Sequence, residues 1–568
     1  MDIIDDKEDL LQRITSILKR QVDPSQHASL KRFVMAFYGY QHLKILRRLT
    51  PERIADGLLR LWTFCQQREA DTPKYDVYYL KPASIDTSPE RLVIQLINDN
   101  MAFLVASLIH FLNRIGLKPR LVVHPVLYVQ RDSTGNLLSI TEKGSLDPNV
   151  KEESLIYCEI TEMVTPETVQ TVLEGLPQTL LEVRQATQDW DAMRRQVREA
   201  IKDVEVSRYQ GEYVRIEESK DFLRWIEDDH FTFLGYCKYE LYGEDGRLLR
   251  EPQATHALGI LRDEEQRRLD RIFEGVGYSQ ATRHLIMKPS PLIINKTTQL
   301  SLVHRDVPMD VIGVRFLNEA GEVIGLHMFL GLFTSIAYDS SARDIPYLRR
   351  KVERVIENAG IEPTWHDGKS LIHVLDTLPR DELFQASVSE LTQIGMSIVR
   401  LQVEQRVALF MRPDIFKRFM SCLVYVPGDV FDSTLMDKMG AVLAKELGGK
   451  LGVVKAQFGA FTFARIHFTI NTPNGAKDSY NISYIEQLLM EVAKSWSDDL
   501  RNALNLTFTE WKSARIFRLY RNAFTRAYQD RFVGQDVVSD IDYIESIYAE
   551  KSFTTRVYVP NPDEPTQI

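Results

Sequence analysis

Few strings in this chain hold residue types that could do chemistry. Asp228-Asp229-His230 sets two carboxylates beside an imidazole, the combination that acid-base catalysis uses. It lies where a helical pattern gives way to a strand pattern, and neighbours at such a boundary point different ways. Capping and solvation are its first reading, and a hydrolase built on Asp229 and His230 is the weakest functional one. Gly368-Lys369-Ser370 imitates the end of a phosphate loop, but Pro363 stands where the first glycine belongs and removes an N–H that the loop needs. A helix-initiating turn fits it better. His366 and His373 lack the HExxH spacing that puts two imidazoles on one metal, and His124, His230, His304, His327 and His467 are scattered among strands as structural histidines. No metal site or catalytic residue is expected.

Asn98-Asp99-Asn100 is the one place read as a binding site. A strand feeds directly into a helix there, so free N–H groups near Asn100 to Phe103 could receive a carboxylate while Asp99 receives an amine. An amino acid offers both groups. The competing reading is that the three residues only cap the helix.

A dinucleotide site needs a strand, a glycine-rich turn and a helix whose N-terminus takes the pyrophosphate. No GxGxxG is present. Gly275-Val276-Gly277 lacks the third glycine, and Gly448-Gly449 closes a helix rather than opening one. No cofactor is therefore expected in this chain.

These strings must be positioned by several domains, because 568 residues exceed one core and suggest roughly three to four. The net charge of -9, with Lys and Arg interleaved among Asp and Glu, argues against nucleic acid as a partner. Cys65, Cys158, Cys237 and Cys422 are far apart inside apolar runs, as buried thiols of a cytoplasmic protein would be. The acidic start, MDIIDDKEDL, is unlike a secretory signal, and the apolar run from Val323 to Ala337 is too short for a bilayer, so no membrane is expected.

Periodicity divides the chain. Residues 1–74 read as helices, and 75–161 as a first α+β unit. Its helix carries Met101, Leu104, Val105, Leu108, Leu112 and Ile115 on one face and ends at Gly116. Pro125 must sit at an edge or a bulge of the return strand. A helical connector, 162–228, leads to an antiparallel β-rich unit, 229–336. A second connector, 337–403, has a helix capped by Asp344 with Pro346 in its first turn. Residues 404–474 read as a ββαββ unit, with a hairpin turn near Pro413 and Asp414 and a helix running from Asp432 or Ser433 to Gly448-Gly449. Helices and a tail follow in 475–568, with a strand at TRVYVP.

Several segments carry a resemblance. DELFQAS from Asp381, RPDIFKRFMSCLVYVP from Arg412 and ARIHF from Ala464 are similar to the N-terminal half of the large bacterial NAD-specific glutamate dehydrogenases. AFLVASLIHFLNRIGL, HPVLYVQRD, FLRWIEDDHFTFLGY and AYDSSARDIPYLRRKV resemble it too, in family order. The resemblance implies an α+β, multidomain protein in which 75–161 and 404–474 are ACT-like (ferredoxin-like) and 229–336 is PAS-like. It implies a regulatory and oligomerisation region without the catalytic domain. NAD would serve the whole enzyme, and the partners would be further copies of the chain, the catalytic region and an amino-acid effector. Family members usually have Asn-Asp-Asp where Asn98-Asp99-Asn100 stands. A free-standing amino-acid sensor is the alternative reading.

Overall fold

The computed structural model describes residues 2–39, 50–80, 91–160, 164–207, 209, 213–242, 248–250, 256–267, 286–287, 290–404, 406–428, 430–458, 463–477, 479–494, 496–529 and 531–550. The Gly275-Val276-Gly277 string and the strand expected at TRVYVP lie outside them. Two compact units are present, one made of residues 1–354 and 378–385, the other of 355–377 and 386–568. Each sheet is antiparallel, and helices pack on sheets, so the α+β expectation holds.

The first unit opens with helices Asp2–Lys19, His27–Tyr38 and Pro51–Cys65, whose apolar stripes meet in one core with Leu58, Leu61, Trp62 and Cys65. Its first sheet holds β1 (Lys74–Leu80), β2 (Arg91–Asp99), β3 (Pro119–Val123), β4 (Val126–Arg131), β5 (Leu137–Thr141) and β6 (Lys151–Ile160), in the order β1-β2-β6-β4-β5 with β3 also on β6. Pro125 falls between β3 and β4, where its missing N–H breaks one return strand into two. Between β2 and β3 runs the helix Leu104–Arg114, closed by Gly116 at φ 82 with bonds from Gly116 N to Asn113 O and from Leu117 N to Leu112 O. After β6 comes the helix Pro166–Gln188, capped by Thr165, and then Trp190–Val206.

The second sheet of this unit contains β7 (Phe231–Tyr242), β8 (Leu248–Arg250), β9 (Leu258–Gly259), β10 (Leu292–Leu300), β11 (Pro308–Leu317) and β12 (Val323–Phe333). Its main path runs β10-β11-β12-β7-β8. With β9 set aside, the five strands stand in the order 2-1-5-4-3, counted along the chain. Segment 378–385 is seated against this unit. Phe384 stacks on Phe333 with ring centroids 5.0 Å apart, and Asp381 lies 3.3 Å from Lys296, which also holds Asp310 at 2.7 Å.

Two expected helix starts move because a non-glycine residue adopts a left-handed backbone. Phe103, at φ 68, delays the helix expected near Asn100 until Leu104. Tyr347, at φ 69, places the start of the next helix at Leu348 rather than at an Asp344 cap, and its N–H bonds Glu218 Oε2 at 2.8 Å.

In the second unit, β13 (Ala408–Pro413), β14 (Phe419–Pro427), β15 (Lys450–Phe458) and β16 (Phe463–Asn471) stand in the order β13-β14-β16-β15. The helix Ser433–Leu447 lies between β14 and β15, with Asp432 accepting from Leu435 N at 2.7 Å and Gly448 ending it at φ 64. The helix Ile482–Ala493 joins it on the sheet, around Cys422, Val424, Phe468 and Leu489. Counting β13 last, this is βαββαβ with strand order 4-1-3-2, the ferredoxin-like arrangement in circular permutation. The first sheet repeats it when β1 is counted last and β3 and β4 are taken as one return strand. The helices Trp496–Thr507, Glu510–Tyr520 and Gln535–Glu550 form a further core with Leu504, Ile516 and Ile541.

One buried polar chain ties the helix Trp190–Val206 to the second sheet. His327, 1% exposed, meets Asp203 through Nε2 at 2.7 Å and Tyr236 Oη through Nδ1 at 2.9 Å, and Lys238 bonds the same Asp203 oxygen at 3.1 Å. Burial lowers the pKa of His327, while the bond from His327 holds Asp203 near about 2. A neutral imidazole fits both bonds, donating to Asp203 and accepting from Tyr236. The unfolded chain takes up the His327 proton first as pH falls. Stability should therefore be fully present above about pH 6.5 and decline from there toward the lowered folded pKa. His327→Gln should flatten that slope in urea unfolding measured from pH 5 to 8. His327→Ala should cost about 2–4 kcal/mol at pH 8, through lost packing and an unpaired tyrosine hydroxyl.

Candidate functional site

The central strand β2 is buried along Leu92–Asn98 and carries its last two side chains, Asn98 and Asp99, out of the apolar core. Three arginines from distant parts of the chain converge on this end. Arg68, just beyond the helix Pro51–Cys65, bonds Asp99 Oδ1 at 2.7 Å, Glu153 Oε1 at 2.9 Å and the Thr72 carbonyl at 2.9 Å. Arg131, at the end of β4, grips both oxygens of Glu153 at 2.8 Å and reaches the Gly135 and Cys65 carbonyls. From the helix Pro166–Gln188, Arg184 bonds Asn98 Oδ1 and Asp99 Oδ2, each at 2.7 Å. Arg68 is 3% and Glu153 2% exposed, so each charge must be met inside the protein.

Burial works to raise the pKa of Asp99, but the bonds from Arg68 and Arg184 outweigh it and hold the carboxyl below its ordinary value. Two of its roughly four lone-pair positions are thereby filled and the others remain. Asn100 turns back to the sheet, donating its N–H to the Glu152 carbonyl at 3.0 Å and its amide to Glu152 Oε2 at 2.8 Å.

Asp99, Arg68, Arg131 and Glu153 line a cleft of about 1030 Å³. Its rim includes Ser133, Thr134, Asn149 and Lys151, all exposed. The loop 132–135 is fixed by Asp132, whose carboxyl is held near about 2 by bonds from Asn136 and Thr134. Gly135 seats this loop at φ 84, with its carbonyl accepting from Arg68 N at 3.0 Å. A Cβ there would stand 2.1 Å from the Arg68 carbonyl, so no other residue fits.

The expected group Asn98, Asp99 and Asn100 is thus gathered at one strand end, but the helix start described for it is elsewhere. The helix opens at Leu104, and Phe103 packs its ring on His304, 4.7 Å between centroids, while Ser107 Oγ accepts from His304 N at 2.9 Å. The other candidates are not assembled. His230 bonds the Trp225 carbonyl at 2.9 Å and stacks on the Trp225 ring, and Asp229 turns at φ 57. Gly368 opens the helix His366–Thr377 where a Cβ would lie 2.2 Å from the Glu362 carbonyl, which gives it a packing reason. Gly448-Gly449 leads from helix to strand, the reverse of a pyrophosphate turn. The four cysteines are buried and form no disulfide with one another.

Sequence reasoning missed Arg68, Arg131, Glu153 and Arg184. Arg131 and Glu153 carried a signal, as charges adjoining apolar strand runs. Arg68 and Arg184 carried none, because their partners lie 31 and 85 residues away in the chain.

The second ferredoxin-like unit shows what the site is not. There the central strand ends in Val426-Pro427, and Pro427 pairs with Phe463 where Asp99 pairs with Glu153 in the first. Equivalent strand ends are ionic in one repeat and apolar in the other.

Four family models match the chain in order: the glutamate dehydrogenase ACT1 domain at residues 33–176, helical motif 1 at 345–404, the ACT2 domain at 408–497 and helical motif 2 at 503–547. An NAD-specific glutamate dehydrogenase of Halomonas elongata is 32% identical over 538 residues, covering 94% of this chain and 33% of the relative. Proteins of the same name from Pseudomonas aeruginosa and Mycobacterium tuberculosis are 27% and 26% identical, over 98% and 80% of this chain and 34% and 27% of their own lengths. The chain spans about a third of the curated relatives it matches most fully.

The two carboxylates of the site should differ in weight. Glu153→Gln leaves two buried guanidinium groups short of charge and should cost about 3–5 kcal/mol. Asp99→Asn, at a partly exposed position that keeps its shape, should cost about 1–2 kcal/mol. Melting of both variants beside the wild type tests this order.

Proposed function

The chain belongs to the family of large NAD-specific glutamate dehydrogenases, and from that membership we propose that it serves as the regulatory and assembly region of such an enzyme. The whole enzyme in this reading oxidises L-glutamate to 2-oxoglutarate and ammonia with NAD in the cytoplasm. The reacting residues and the NAD site belong to its catalytic region, which is the partner of this one. The observation that carries the reading is the succession of two ACT units and two helical motifs in one chain. Buried cysteines outside any disulfide agree with a reducing compartment. Among the described residues, no helix is long and apolar enough to cross a membrane.

The effector in this proposal is an amino acid, held in the cleft by Asn98, Asp99 and Asn100. Its ammonium sits on the remaining lone pairs of Asp99. Asn98 and Asn100 keep that strand end in place, through Arg184 and Glu152. Its carboxylate faces Lys151 and the hydroxyls of Ser133 and Thr134 across the cleft, not the helix start. A charge-assisted bond at such a partly buried place contributes about 1.5–3 kcal/mol. The common amino acids, added singly at millimolar concentration, should include one that raises the melting temperature of the wild type and loses that effect in Asp99→Asn. If none shifts the wild type, the cleft is not an effector site.

Assembly in this proposal uses the third sheet. Among the described residues, β15 pairs only with β16, and its outer edge carries Leu451 at 44% and Phe458 at 66% exposure. A second copy of the chain is the partner that such an edge fits. Light scattering should show association that Leu451→Asp with Phe458→Asp weakens. A monomer at high concentration would count against it.

A further inference from the structure

The helix Pro166–Gln188 touches both sheets of the first unit within its last turns. At Arg184 it holds Asn98 and Asp99 on the wall of the cleft. Arg184 is 12% exposed, and its Nη1 has no hydrogen-bond partner, with only Asp71 near it at 4.0 Å. Five residues further, about 7.5 Å along a helix axis, Asp189 ends the helix and turns its carboxylate to the second sheet. Oδ2 accepts from the Gly259 N–H at 2.7 Å and from Arg262 Nε at 2.5 Å, and Oδ1 accepts from Arg262 Nη2 at 2.8 Å.

The far end of this connection has little freedom. Gly259, at φ 62, passes so close to Leu234 that a Cβ would lie 2.1 Å from its carbonyl, and it pairs with Gly235 of β7. The helix Trp190–Val206 starts without a linker, Met193 N bonding Asp189 O at 2.8 Å, and Trp190 meets Phe233 of the same strand edge-on at 5.9 Å. Arg184 and Asp189 are therefore fixed to one stiff element, each by a charge-assisted bond to a different sheet. Neither end can move far without the other.

We propose that Arg184 to Asp189 act as a strut that couples the state of Asp99 in the cleft to the Gly259 segment of the second sheet. The proposal rests on the effector reading of the cleft, and it names how occupancy is passed on. A ligand ammonium on Asp99 competes with Arg184 for negative charge, weakens that bond and lets the helix end shift. The Asp189 clasp on Gly259 and Arg262 then loosens. Coupling of this kind is reciprocal, so a change at the clasp must also be felt at Asp99.

Hydrogen–deuterium exchange on the chain decides it. Asp99→Asn should raise exchange of the Gly259 amide at least tenfold while the β14 amides stay as in the wild type. Asp189→Asn should raise exchange in residues 98–101. Arg184→Lys, which keeps the charge but loses the fork, should give a smaller rise at Gly259 and serves if Asp99→Asn does not fold. Unchanged Gly259 exchange in the folded Asp99→Asn or Arg184→Lys protein would overturn the strut. The effector reading fails separately: amino acids that leave the melting of the wild type unmoved remove the effector, while faster Gly259 exchange in Asp99→Asn still establishes the strut. An amino acid that stabilises the wild type, with Gly259 exchange unmoved in Asp99→Asn, keeps the effector and removes the strut.

Discussion

A guanidinium taken out of water must find its negative charge inside the protein, and Arg68 is almost wholly out of water. Much of the first unit is arranged around that demand. Glu153 is shared between Arg68 and Arg131, and Asp99 between Arg68 and Arg184. These five side chains come from β2, β4, β6, the segment after the helix Pro51–Cys65 and the helix Pro166–Gln188. Apolar packing alone leaves the helix and the segment after Cys65 some freedom to shift against the sheet. Fork-shaped charge pairs do not allow it, because each bond fixes direction as well as distance. The lattice therefore fixes the relation between the N-terminal helices, the first sheet and the helix that runs on toward the second sheet.

The two ferredoxin-like units separate what the fold needs from what a site adds. Both have a central antiparallel pair, β2 with β6 and β14 with β16, and both place helices on the sheet. In the second unit the helices cover a core of Cys422, Val424, Ile466 and Phe468 that needs no charge. Its strand end at Pro427 cannot donate a backbone N–H and carries no ligand-binding group. A sheet of the same topology therefore stands with an apolar end. The cost of burying Arg68 and Glu153 in the first unit is met by mutual pairing, and what the lattice adds is a polar cleft to which Asp99 is partly open.

Much of this was legible in the sequence, and the rest was not for definite reasons. Short-range signals worked: alternation at Leu92, Ile94 and Leu96, the helical spacing from Leu104 to Ile115, Gly116 and Gly448 as left-handed caps, and Asp432 as an N-cap. Pro125 correctly marked a break in the sheet. Phe103 and Tyr347 were unreadable as helix boundaries, because a left-handed aromatic residue has no local preference to announce it and is held there by tertiary contacts, His304 for one and Glu218 for the other. Asp99 was legible as a polar residue at a strand end, yet its surroundings were not. Pairing between residues 31 or 85 positions apart leaves no periodicity, so the arginines that fill half of its hydrogen-bonding capacity could not be seen.

That half-filled state sets the strength a ligand can reach. An ammonium arriving at a free carboxylate would gain a full ion pair, but at Asp99 it meets a group whose charge is already shared by two guanidinium ions, and like charges stand close by. The gain is then at the low end of the charge-assisted range, about 1.5 kcal/mol, with a similar amount from the ligand carboxylate at the rim. Together these give about 3 kcal/mol, short of the roughly 4 kcal/mol that corresponds to a millimolar dissociation constant. A proposed site of that strength would be empty at low effector concentration and fill only at high concentration. By the same arithmetic, small changes in how firmly Arg184 holds Asn98 and Asp99 are comparable with that whole binding energy, and on the proposed coupling they would tip occupancy and the position of the helix end together.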